Sequence, residues 1–249
     1  MSETVQRICE AHGGMAAWEA TESIACKASI HGMLFTLRKQ PDVFRDVRVE
    51  IECHTPRTAY SPCPGPGQRG LYRPDKVSIL KGDELISERT HPRDDFRGRP
   101  REQPWDDLDV IYFGGYAIWQ YLAAPFLFTL PGVEVWDGNP WSEDGQMWSR
   151  LHVKFPKTMH SHCEEQVYYF DEAGLLQRMD YHVEIVDSSI GVAHYMYDYV
   201  QVGGLAFPTR RCAYPRDSRG VHDPNVTLVE LNLTAYETRR FQQDSPASV

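Results

Sequence analysis

The 249-residue chain lacks most of the signals by which a sequence announces its chemistry. It has no Gly-x-Ser-x-Gly elbow, P-loop, Gly-x-Gly-x-x-Gly or His-Glu-x-x-His. Elbow-type hydrolysis, phosphoryl transfer, hydride transfer and zincin chemistry are therefore poor readings. The stretch PGPGQRG at residues 64–70 is interrupted by proline and follows no strand–helix pattern, so it reads as a loop. None of the six cysteines stands at Cys-x-x-Cys spacing. That argues against a zinc knuckle and for reduced, buried thiols. No block of five like charges appears, and the net charge is −9, which disfavours nucleic acid and anionic membrane as partners. No apolar run reaches the ~18 residues of a membrane span. The longest, Val110–Leu130, is broken by Gly114, Gly115, Gln120, Pro125 and Thr129. The opening MSETVQRICEAHGG has neither a basic n-region nor an apolar h-region. No secretory signal is visible, and a cytoplasmic location is the expectation.

What is present is strand-like and aromatic. Aromatic residues make up 12 %, with 13 tyrosines, enough for a packed interior or an aromatic-lined pocket. Residues 3–18 predict a helix with Gly13-Gly14 as a stop or kink. Strands are expected at Ser23–Gly32, Leu34–Gln40, Phe44–Cys53, Gln68–Tyr72, Lys76–Lys81 and Glu84–Arg89. A polar loop, His91–Pro104, follows. With Trp105–Asp107 it reads as a mobile lid or a solvated connector. Trp105–Leu122 predicts a second helix, its first turn carrying Asp106, Asp107 and Asp109 against the helix dipole. Ile111, Tyr112, Tyr116, Trp119 and Leu122 form its aromatic face. Further strands are expected at Val133–Trp136, Gln146–Phe155, Thr158–Asp171, Leu175–Val186, Ile190–Gln201, Ala206–Tyr214 and Val226–Glu237, and the tail Gln242–Val249 is expected to fray. With no long linker, the expectation is one α+β domain over residues 1–249. It is a curved antiparallel sheet with helices covering one face.

The opening helix with AHGGMAAW, the strand SIACKASIHG, the interrupting helix and the late pattern EEQVYYFDEAGLLQRMDY…GLAFPTR resemble the half-barrels of LolA/LppX-like proteins. The resemblance covers most of the chain as a pattern and contains no functional motif. It implies an apolar cavity under helical lids and a carrier of hydrophobic ligands. It departs in one respect: those carriers are exported, and this chain shows no export signal. Fold alone does not fix function.

Four histidines cluster in Lys157–Tyr199: His160, His162, His182 and His194. A three-residue loop at Asp187–Ser189 places His182 opposite His194. A glycine-closed turn at Asp171–Gly174 places His182 opposite Glu164. Even-numbered residues then share one face, with His162, His182, His194, Asp180 and Glu164 together. Tyr181, Tyr195, Tyr197 and Tyr199 line the other face. The even face reads either as an acid–base site or as the solvated outside of the sheet. Residues 160–174 also resemble the first cupin motif, but Val167 stands at its glutamate position. A metal held by His160, His162 and His194 is a third reading. In PTRR, Arg210 or Arg211 could clamp a carboxylate or pair on the surface.

The leading expectation is a cofactor-independent lyase, isomerase or cyclase acting on a small hydrophobic or aromatic molecule. His162, His182 or His194 would move the proton, and Asp180 or Glu164 would orient it. Tyr181, Tyr195, Tyr197, Tyr116, Trp119 and Arg210 would form the pocket. The alternative is a non-catalytic carrier of hydrophobic ligands. Neither reading calls for a metal or cofactor, and any further partner would be a second copy of the chain.

Overall fold

The computed structural model describes residues 2–242, so most of the tail expected to fray lies outside the described residues. The chain opens with α1 (Glu3–Ala11), capped by the Ser2 hydroxyl accepting from Val5 N and buried through Val5, Ile8 and Cys9. Gly13 and Gly14 both have positive φ and start a separate helix, α2 (Met15–Ala20), so the expected single helix is two. Strand β1 (Thr21–His31) follows. Residues 34–40, expected as a strand, instead contain the short helix α3 (Met33–Leu37). Met33 N and Leu34 N donate to Thr227 O and Leu228 O, and Phe35 is buried. The segment lacks the alternation that a half-buried strand requires.

Strands β2 (Phe44–Glu52), β3 (Arg57–Ser61), β4 (Gln68–Arg73), β5 (Lys76–Lys81) and β6 (Glu84–Thr90) form a meander. Of these, β3 was not foreseen. Next comes α4 (Asp107–Ala123). It is followed by β7 (Glu134–Glu143), β8 (Gln146–Lys154), β9 (Glu165–Phe170), β10 (Leu176–Val183), β11 (Asp187–Val202), β12 (Leu205–Arg216) and β13 (Val229–Arg240). All thirteen strands join one antiparallel sheet, ordered β6-β5-β4-β3-β2-β1-β13-β12-β11-β10-β9-β8-β7. The closing pair β1–β13 unites the two meanders, and β6 and β7 are left as edges. The result is a curved, unclosed α+β half-barrel, as expected.

Helix α4 occupies the concave side. Its capping box is reciprocal: Asp109 N donates to Asp106 and Asp106 N to Asp109. From Asp109 to Ala123 every residue is buried, including those off the expected aromatic face. Gly114 and Gly115 make this approach possible. A Cβ at Gly115 would stand 2.2 Å from Tyr72 Cβ, and one at Gly114 2.6 Å from Phe44 Cζ. The polar segment after β6 is tied down rather than free. Arg89 pairs with Asp95, Asp106 and Asp109, Arg99 with Asp109, and Arg101 with Asp187. All six cysteines are buried free thiols, as the sequence predicts.

Candidate functional site

Register decides which side chains meet on the concave face. Strands β10 and β11 pair with Tyr181 opposite Val192 and Arg178 opposite Tyr195, not with His182 opposite His194. The turn forms earlier than expected, with Val186 N bonded to Val183 O, and Asp187 and Ser189 lie within β11. Between β9 and β10 an irregularity at Gln177 shifts the pairing by one, so Asp180 faces Val167. An odd offset moves one strand's side chains to the other face. The two expected faces are therefore mixed. Gln166, Tyr168, Met179, Tyr181, Val192, His194 and Met196 face inward, whereas Val167, Tyr169, Arg178, Asp180, Ala193, Tyr195 and Tyr197 face outward.

The candidate residues separate accordingly. Asp180 sits on the convex face beneath the β7–β8 hairpin. Arg178 there donates to both Asp180 oxygens, to Glu143, to the Tyr195 hydroxyl and to Gly220 O. This cluster ties the hairpin and the loop near Gly220 to the sheet, on the face opposite His162 and His194. His182 faces Gly191 on the same side as Asp180, and its backbone N–H donates to Cys163 Sγ. Glu164 is in the loop 155–164, not in a strand, and lies 3.8 Å from Lys157. Arg210 lies outside, over the Tyr197 ring and near Asp198. Trp119 donates to Glu52 O and lines a separate crevice with Trp18 and Phe126. His160 accepts from or donates to Tyr112, and lines a polar crevice of about 490 Å³ with Arg93 and Glu184. Among the described residues no three His, Cys, Asp or Glu side chains gather as a metal site, so the expected His160–His162–His194 set does not form.

His162 and His194 do meet, through tyrosines. Arg211 is a pure donor, so its Nε–H donates to His194 Nε2 at 3.3 Å. The His194 proton is thereby placed on Nδ1, which donates to the Tyr181 hydroxyl at 3.1 Å. Tyr181 then donates to Tyr121 at 3.1 Å, and Tyr121 to His162 Nε2 at 2.6 Å. His162 Nδ1–H finishes on the Tyr116 hydroxyl at 3.0 Å. Every link is buried. Burial pushes the His162 pKa down to about 3 and holds His194 well below its ordinary value, Arg211 adding to the effect on His194. Desolvation lifts the Tyr121 hydroxyl to about 12. Both imidazoles are neutral, and each has its single lone pair already engaged. Tyr121 was outside the expected set, and Arg211 entered it only as the alternative to Arg210 for clamping a carboxylate. Their signal was the helix hydrophobic all round and the alternation Arg211, Ala213 along β12.

This chain of polar groups borders a narrow cavity of about 90 Å³ between α4 and the concave face. Phe44, Tyr60, Ile118, Val192, Ala213 and Leu231 contribute its walls, and Tyr121, Tyr181 and His162 its polar end. Leu34, Val186, Asp187, Ile190 and Leu228 lie where α3 approaches the β10–β11 turn and the segment before β13.

No protein-family model and no curated protein matches the chain by sequence. Solved structures do match it by fold. A LolA superfamily protein from Nitrosomonas europaea superposes with a TM-score of 0.54 at 12% identity, over 97% of this chain and 96% of that one. An outer membrane lipoprotein-sorting protein domain from Vibrio parahaemolyticus gives 0.53 at 12% identity, over 97% and 93%. The fold is the LolA-like half-barrel. Those structures are named for LolA and for lipoprotein sorting, not for a reaction. A general base also needs a free lone pair and a pKa near the working pH, and neither buried histidine has either. The expected acid–base lyase or isomerase is therefore corrected; His162 and His194 are spent within the buried chain, and His182, Asp180 and Glu164 lie apart from it.

Proposed function

We propose that the chain is a non-catalytic carrier or binding protein for a hydrophobic ligand held between α4 and the concave face of the sheet. The observation that carries this reading is the cavity itself. Its walls are mostly apolar side chains from β1, β2, β3, β10, β11, β12, β13 and α4, and its polar groups are few: Tyr60, Tyr121, His162, Tyr181 and Asp187. Its lining has the composition of a ligand site, mostly apolar with a few polar groups, and at about 90 Å³ it must widen to admit an acyl chain. The lipoprotein-sorting name of one structural neighbour agrees with an acyl-bearing ligand. Tyr181 is pocket wall in this reading, and Tyr116 supports it through His162. Tyr195, Tyr197, Trp119 and Arg210 take no part.

The test is a titration with a fluorescent fatty acid such as cis-parinaric acid, on the wild type and on Ala117→Trp. Ala117 is a buried α4 residue lining the cavity. The indole fills the space, at about 1–3 kcal/mol of overpacking. Saturable binding by the wild type and its loss in a folded Ala117→Trp are expected. Unchanged binding in the variant would place the ligand elsewhere.

A further inference from the structure

We infer that this cavity selects a hydrophobic ligand ending in an anionic head group, for which Arg211 is the counter-charge; the inference rests on the binding role proposed above. Two arginines are fully enclosed, Arg178 and Arg211. Arg178 has Asp180 and Glu143 as ion-pair partners. Arg211 contacts only neutral groups: His194 Nε2, Tyr121 O at 3.1 Å, Met179 Sδ at 3.6 Å, and the Tyr121 ring, whose centroid is 4.5 Å away. Among the described residues no carboxylate lies within ion-pair distance of it. A guanidinium does not shed its proton in a protein, and an enclosed charge without a counter-ion is costly.

Its position says what would supply the counter-ion. Ala213, two residues along β12 and on the same face, lines the cavity. Tyr121, which covers the guanidinium, also lines it, beside Tyr181 and His162. Arg211 therefore stands one side chain behind the Tyr121–Tyr181–His162 end of a mostly apolar space. One of its terminal N–H groups is spent on a thioether, a weak acceptor. Exchanging that for an anionic oxygen gives a charge-assisted hydrogen bond, while the Tyr121 and Tyr181 hydroxyls keep their donor bonds within the buried chain. The ligand's apolar chain would extend toward Ile190 and Leu228. Carboxylate and phosphate monoester heads share this chemistry.

The experiment compares laurate, dodecyl phosphate and dodecanol in calorimetric titrations of the wild type, Arg211→Met and Ala117→Trp. The wild type should bind at least one anionic ligand tenfold or more tighter than the alcohol, and the better anion identifies the head group. Arg211→Met should still bind dodecanol and bring all three ligands within about twofold. Ala117→Trp should lose the preference by losing binding. Equal affinities for anion and alcohol in the wild type overturn the inference and leave the carrier reading standing, whether or not Arg211→Met folds. A preference that survives in either variant also overturns it. Failure of the wild type to bind any of the three overturns both.

Discussion

The imidazole of His194 and the phenol of Tyr181 share a buried hydrogen bond of 3.1 Å, although one is even-numbered and the other odd on adjacent antiparallel strands. The odd offset of the β10–β11 pairing puts them on one face. Tyr181 accepts from His194 and passes its own proton to Tyr121.

Tyr181→Phe should therefore destabilise the fold by about 1–3 kcal/mol, because the His194 Nδ1–H loses its acceptor in a water-free site. Denaturant unfolding measures this. A change below about 0.5 kcal/mol would mean that the hydrogen bond is not formed.

Acidification should weaken the fold well above the carboxylate range. Burial lowers the pKa of His162 to about 3 and of His12 to about 4, while unfolded histidine stays near 6.5. Between those values the unfolded chain binds more protons than the folded one, so stability rises with pH there. It is fully present above about 6.5 and falls as the pH drops, by up to ~1.4 kcal/mol per unit per buried histidine. Melting temperatures from pH 7 to pH 5 should decline, and His162→Gln should decline less steeply. A flat profile in the wild type would contradict neutral burial.

Gly115→Ala should reverse the usual helix preference. In an exposed helix this change gains about 1 kcal/mol. Here the new methyl would stand 2.2 Å from Tyr72 Cβ and 2.3 Å from its Cγ, atoms held by the strand backbone. A loss of ~1–3 kcal/mol is expected from overpacking. Thermal melts decide it, since a stabilised variant would show that helix and sheet are not in this contact.

Asp180→Ala should cost about 1.5–3 kcal/mol by taking from buried Arg178 one of its two carboxylate partners and leaving Glu143 as the other. It should leave hydrophobic-ligand affinity unchanged, because the residue faces away from the cavity. A weakened affinity in a folded variant would tie the convex cluster to binding.

The sequence by itself determined the fold class. Strand alternation, glycine-closed turns and the aspartates opening α4 are local, and they survive any packing. So does the burial of α4, since a helix apolar on all faces has nowhere else to go. The half-barrel was legible to that extent, whereas His162 and His194 were expected on the face opposite Tyr181. What only the tertiary structure decided was which residues meet. The shift at Gln177 and the early turn before Asp187 each changed parity, and parity is a property of pairing, not of one strand. They sent Asp180 outward to Arg178 and brought Tyr181 to His194. The same pairing placed Arg211 inside and its neighbour Arg210 outside. Two adjacent arginines look alike in sequence, and strand alternation gave one of them to solvent and the other to the buried end of a cavity.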